Sequence, residues 1–96
     1  MKKIISTDKA PAPIGPYNQG IISGNFLYTS GQIAINPENN KLILDTIENE
    51  TTQVMENLKE ILAAANMTFE NVVKTTIYVS NINNFSKVNE VYELSL

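Results

Sequence analysis

The 96-residue chain contains no cysteine, no histidine, no tryptophan and no arginine. Without cysteine there are no disulfides or thiolate nucleophiles, and without histidine as well there are no thiolate or imidazole metal sites. The missing histidine also removes the usual proton carrier near neutral pH, and serine triads with it. Carboxylates, tyrosine, lysine or an oriented water are left for acid–base work. Without arginine, no side chain offers a planar two-pronged fork to a carboxylate or phosphate. Long apolar runs are absent too: nothing approaches the roughly 20 apolar residues of a membrane span. The start, Met1 to Ile5 followed by Ser6, Thr7 and Asp8, has too short an apolar run for a secretory signal. A cytoplasmic protein without a membrane partner is expected.

What is present fits one small domain over residues 1–96. With 43% hydrophobic residues, it must bury its apolar surface in a single modest core or share that surface with other subunits. The net charge is −3, and the lysines are scattered singly apart from Lys2 and Lys3. That pattern gives no basic stripe of the kind nucleic-acid binding needs, so a nucleic-acid partner is not expected.

The segment from Ala10 to Gly20 holds three of the four prolines and two of the four glycines. Proline fixes φ and biases the preceding residue toward extended backbone, so Ala10, Ala12 and Gly15 are all pushed away from helix. Two readings stand side by side: a shaped loop that presents Tyr17, and a proline-rich connector whose tyrosine packs on a neighbour.

The rest of the chain divides by periodicity. Residues 2–6 read as a short first strand. Residues 17–23 and 25–35 read as a hairpin around Gly24 and Asn25, with Phe26, Tyr28, Ser30 and Gln32 on one face and Leu27, Thr29, Gly31 and Ile33 on the other. Residues 36–40, Asn-Pro-Glu-Asn-Asn, are turn formers and predict a surface loop, followed by a short extended piece over 41–44. From Ile47 the period becomes helical, with Ile47, Thr51, Val54, Leu58, Ile61, Leu62 and Ala65 on one stripe and Glu50, Glu56, Asn57 and Lys59 largely away from it. Asp45 or Thr46 is expected to cap this helix and Asn66 to end it in a left-handed conformation. Residues 72–80 alternate and are rich in β-branched side chains, which predicts a strand. Residues 81–84 then lead into a second helix carrying Phe85, Val88 and Tyr92. This order predicts an α+β domain whose helices cover one sheet face, with a right-handed crossover if the strands flanking the first helix are parallel.

Four blocks in order carry a resemblance: Ile14-Gly15-Pro16-Tyr17 with Gln19-Gly20, then residues 28–32 (Tyr-Thr-Ser-Gly-Gln), residues 74–79 (Lys-Thr-Thr-Ile-Tyr-Val), and Phe85 with residues 88–92 (Val-Asn-Glu-Val-Tyr). Together they resemble the RidA family of reactive intermediate deaminases, also called YjgF or L-PSP. The resemblance implies a chorismate-mutase-like α+β fold, a mixed β-sheet covered on one face by two helices. It also implies a homotrimer with ligand sites between subunits, and hydrolysis of 2-imino acids or their enamine tautomers to 2-oxo acids and ammonia, without metal or organic cofactor. It places Tyr17, Ser30, Gly31 and Asn89 at the substrate. It further implies two strands after the second helix, carrying an arginine for the substrate carboxylate and a glutamate for the attacking water. The residues after Tyr92 are Glu93, Leu94, Ser95 and Leu96, so neither group has a counterpart and no catalytic residue is assigned. A truncated or frame-shifted family member of doubtful activity is the expectation. The alternative is a non-catalytic trimeric module that binds a small molecule or a partner; the family's older labels are translation inhibitor and endoribonuclease.

Overall fold

Strand β1, Lys2–Ile5, pairs antiparallel with β2, Gly20–Ser23, which pairs antiparallel with β3, Phe26–Thr29. The computed structural model in which these elements are seen describes residues 2–13, 15 and 17–95; Ile14 and Pro16 of the proline block lie outside them. The registers Lys3↔Ile22↔Leu27 and Ile5↔Gly20↔Thr29 put Ile5, Ile22 and Leu27 on one face, because side chains alternate along a strand. Ile4, Phe26 and Tyr28, on the opposite face, are exposed. Gly24 takes φ 61° in the two-residue connection between β2 and β3, where a positive φ matches the twist of a tight hairpin. Beyond β3 a second, two-stranded ladder pairs β4, Ile35–Asn36, with β5, Lys41–Leu42. The intervening loop is pinned by the Asn36 and Asn39 side chains, which accept from the amides of Glu38 and Lys41.

Helix α1, Ile47–Ala64, begins at Thr46, whose hydroxyl accepts the Asn49 amide at 3.0 Å. Asp45 supports the same turn: its carboxylate accepts from the Asn49 side-chain amide at 2.9 Å and from the Thr46 amide at 3.0 Å. These bonds hold its pKa below the usual carboxylate value. A depressed pKa makes a contribution to stability that is present above the ordinary value and is lost as pH falls through the lowered one. At the far end Asn66 adopts φ 59°, and the amides of Asn66 and Met67 return to the carbonyls of Ala63 and Leu62. This is the 5→2 and 6→1 closure of a Schellman motif.

The core lies where α1 crosses the inner sheet face. Ile61, Ile5 and Ala10 are buried there, with Ile22, Leu27 and Ala65 packed around them. Gly20 permits the approach: a Cβ at that position would stand 3.2 Å from Leu27 Cδ1 and 3.4 Å from Ile61 Cγ2. Helix α2, Phe85–Ser95, follows a single 3₁₀ turn, Ile82–Asn84, capped by Asn81, and packs on α1 with Val88 buried.

Two expectations are corrected. Asn57 does not lie away from the buried stripe. It is 1% exposed, donates from Nδ2 to the carbonyls of Ile33 and Ile35 at 3.1 and 3.0 Å, and accepts from Gln53 at 2.8 Å. A polar residue with every group paired can be buried where helical periodicity alone would expose it. The second correction concerns residues 72–80, which form no strand. Strand status requires a neighbouring backbone, and among the described residues none bonds to the backbone of 73–80. Val73 and Tyr78 are 84% and 93% exposed. Every strand pair among the described residues is antiparallel, so the condition for a right-handed crossover, a parallel pair flanking α1, is not met there.

Candidate functional site

The proline block is shaped by one buried amide. Prolines cannot donate hydrogen bonds, so the carbonyls around them need donors from elsewhere. Gln19, 3% exposed, supplies them: Nε2 donates to the carbonyls of Thr7, Ala10 and Pro11 at 2.9, 3.2 and 2.9 Å, and Oε1 accepts the Thr7 amide at 2.6 Å. Ala10 is thereby drawn into the core. Nothing in the local pattern marks Gln19 as buried; the density of donor-less prolines beside it is the one sequence signal for its role.

Tyr17 stands two residues before this peg and is 66% exposed. Its amide donates to the Gly15 carbonyl at 2.9 Å, Gly15 has φ 97°, and the tyrosine ring covers Gly15 so closely that a Cβ there would lie 3.4 Å from Cε2. The backbone conformation favours glycine at this position.

Ser30 and Gly31 follow β3 directly. The Ser30 amide and hydroxyl both donate to the Gln19 carbonyl, at 3.0 and 3.3 Å, and Gln32 Nε2 lies 3.3 Å from Ser30 Oγ and 3.4 Å from the Gly31 carbonyl. A half-buried hydroxyl, an exposed backbone segment and a side-chain amide therefore meet beside the base of the Tyr17 loop. Such a cluster can orient a small polar ligand or a water through neutral donors and acceptors. Gln32 belongs to it although the sequence reading singled out only Ser30 and Gly31.

Asn89 occupies α2, where it is half-buried and donates to Glu93 at 3.2 Å. Among the described residues no hydrogen bond joins it to Tyr17, Ser30 or Gly31. A Cβ at Gly31 would meet no atom within 4 Å. Gly31→Ala should accordingly change the unfolding free energy by less than about 0.5 kcal/mol, as read by urea denaturation. A loss of ligand binding in that variant would then report contact at the site, not a folding defect.

A groove lies elsewhere. It has a volume of about 210 Å³ and runs between β3 and residues 72–75, floored by Met55, Leu58 and Leu62 with Tyr92 at one side. Tyr92 accepts or donates a 2.6 Å hydrogen bond with Thr75, which ties the extended segment to α2. None of Tyr17, Ser30, Gly31 and Asn89 lines this groove. Among the described residues no three acidic side chains gather as a metal-binding group, and no helix is long and apolar enough to cross a membrane.

Comparison with known proteins gives a consistent result. Residues 7–95 match the family described as Endoribonuclease L-PSP. A RutC family protein of Pyrococcus horikoshii is 48% identical over 92 residues, which are 96% of this chain and 73% of the relative. A 2-iminobutanoate/2-iminopropanoate deaminase of Rattus norvegicus is 45% identical over 93 residues, 97% of this chain and 68% of the relative. The crystal structure of a putative endoribonuclease from Thermotoga maritima superimposes with a TM-score of 0.96 at 46% identity, covering 99% of this chain and 75% of that one.

Proposed function

The chain belongs to the Endoribonuclease L-PSP family, and from that premise we propose that it hydrolyses small 2-imino acids or their enamine tautomers to 2-oxo acids and ammonia. The observation that carries this reading is the 45% identity, over 97% of the chain, to a relative named for such a deaminase. In the reaction water adds to the C=N carbon, and the resulting carbinolamine expels ammonia as the C=O bond forms. One water is consumed, one ammonia leaves, and nothing is oxidised or reduced.

The chemistry suits the residues available. A protonated imine is already electrophilic, so the protein has to position water and substrate more than it has to generate a strong nucleophile. A chain without cysteine or histidine can do that. Tyr17 would form the rim of the site, while the Ser30 hydroxyl and the Gly31 backbone, held by Gln19 and Gln32, would orient the substrate. Asn89 would enter across the cleft between subunits of a cytoplasmic homotrimer. Among residues 1–96, which include no arginine, hydroxyl and backbone donors or the point charge of a lysine would meet the substrate carboxylate. RNA cleavage is not proposed despite the family's name, since the chain is acidic and lacks histidine.

The test is the decay of the imine released when a threonine dehydratase acts on threonine, followed together with ammonia release. Decay that accelerates in proportion to added protein, with a loss of about tenfold or more in Ser30→Ala, is the expected result. No acceleration at tens of micromolar protein overturns the reading. The neutral donors and acceptors gathered at Ser30, Gly31 and Gln32 favour one second reading, a non-catalytic module for small carboxylates. That reading predicts saturable NMR shifts at Ser30 and Gly31 on adding a 2-oxo acid, without turnover.

A further inference from the structure

The Ser30 hydroxyl has a direction, and its neighbours set it. A serine hydroxyl has one proton to donate and two lone pairs with which to accept. The proton goes to the Gln19 carbonyl at 3.3 Å, a bond whose sense is fixed because a carbonyl oxygen cannot donate. One lone pair is met by Gln32 Nε2, also at 3.3 Å. The sense of this bond is fixed as well. The same end of the Gln32 amide faces the Ser30 and Gly31 carbonyls at 3.5 and 3.4 Å, and only its nitrogen suits those acceptors. What the hydroxyl has left for a ligand is a lone pair.

The arrangement is braced on both sides. The carbonyl that takes the Ser30 proton also takes the Ser30 amide, at 3.0 Å. It belongs to Gln19, which is buried and whose side chain is tied to Thr7, Ala10 and Pro11. Just beyond Gln32, the carbonyls of Ile33 and Ile35 accept from the buried Asn57 amide at 3.1 and 3.0 Å, so the backbone next to Gln32 is pinned to α1. The Gln32 bond into Oγ also strengthens the hydroxyl as a donor to Gln19, because hydrogen bonds in a chain polarise one another. A hydroxyl held in this way does not turn its proton to suit whatever binds.

We infer that Ser30 meets its ligand as a hydrogen-bond acceptor only, with Gln32 as its positioning residue. The site consequently selects small carboxylates that bear a hydrogen-bond donor at C2 over those that bear a carbonyl there. This rests on the proposed function, which places the ligand at Ser30, and adds to it a division between substrate and product. The iminium, the enamine and the carbinolamine all carry N–H at C2 and satisfy the free lone pair. The 2-oxo acid offers only lone pairs at that position, so the contact is lost once ammonia has left. A site built to pair with an N–H or O–H rejects an analogue that lacks it more strongly than a match of shape alone can. The side chains that hold the substrate therefore favour release of the product.

Binding of stable ligands tests this without turnover. 2-Hydroxybutanoate, taken as each enantiomer, and 2-oxobutanoate have the same charge and similar size, but only the hydroxy acid has a donor at C2. NMR titration of the whole chain should give a Kd about tenfold or more lower for the better hydroxy acid enantiomer, the difference between a paired and an unpaired polar contact. Gln32→Met keeps the length of the side chain and removes the donor, which frees the Ser30 hydroxyl to turn its proton toward the ligand. The ratio of the two Kd values should then fall below about threefold. Ser30→Ala should abolish the preference and Ser30→Thr, which keeps the hydroxyl, should retain it. A purely structural role for Gln32 would weaken both ligands equally and leave the ratio intact. Equal or tighter binding of the oxo acid by the wild type, an unchanged ratio in Gln32→Met, or no saturable shift with either ligand would each overturn the inference. Turnover is read separately: a preference for the donor without turnover sinks only the hydrolysis, and turnover without that preference sinks only the assignment of Ser30 as an acceptor.

Discussion

Replacing Ile61 with alanine is expected to lower the unfolding free energy by about 3–4 kcal/mol, within the range seen when large aliphatic side chains are deleted from close-packed cores. Ile61 has no exposed surface and fills the space where α1 meets the sheet, against Ile5 and Ala10. The cavity has little means of collapsing. Its opposite wall is Gly20, which has no side chain to advance, and both β2 and α1 are held by their own backbone bonding. The loss is large for a domain of this size, whose whole stability is on the order of 5–15 kcal/mol. Urea denaturation should show the midpoint falling with the slope preserved. Ile61→Val, which removes a single methylene, should cost about 1 kcal/mol. A loss under about 1 kcal/mol in Ile61→Ala would mean that the sheet and α1 are not closely packed at Gly20.

Gln19→Leu is expected to cost about 3 kcal/mol, although the new side chain is similar in volume and well suited to burial. The amide of Gln19 serves four backbone groups, one N–H and three carbonyls. Buried groups left without partners cost roughly 1–3 kcal/mol each, reduced wherever water can reach them. Thr7 and Pro11 are partly accessible to water and Ala10 is not, so the total falls below the sum of four full penalties. Chemical denaturation measures the stability, and limited proteolysis reads the local consequence, which is faster cleavage between residues 7 and 19. A Gln19→Leu protein with unchanged stability and unchanged protease resistance would show that the amide is not what shapes the Tyr17 loop.

The elements closest to local chemistry were legible in the sequence. The helical stripe from Ile47 to Ala65, the cap at Thr46, the left-handed stop at Asn66 and the Gly24–Asn25 hairpin turn depend on residues within a few positions of one another. Their propensities and spacings therefore specify them. The polar pegs were not legible, because the carbonyl partners of Asn57 lie 22 and 24 residues away and the partners of Gln19 up to 12. Such pairing depends on where the chain returns. The candidate site was legible in part. Ser30 and Gly31 sit together at the end of β3 next to the base of the Tyr17 loop, whereas Asn89 is turned to Glu93 on its own helix.

The sequence by itself determined the family through ordered blocks such as Gly15, Tyr17, Gln19 and residues 28–32. It also determined the chemistry that no residue here can perform, since a missing arginine or histidine is missing in every conformation. Only the tertiary structure decided how the proline block is held and whether residues 72–80 become a strand. The block is held by a buried amide whose carbonyl partners are spread over the preceding loop. The alternating segment has the composition of a strand, but a strand is a relation between two backbones, and in this fold the neighbouring edge of β3 stands across an open groove.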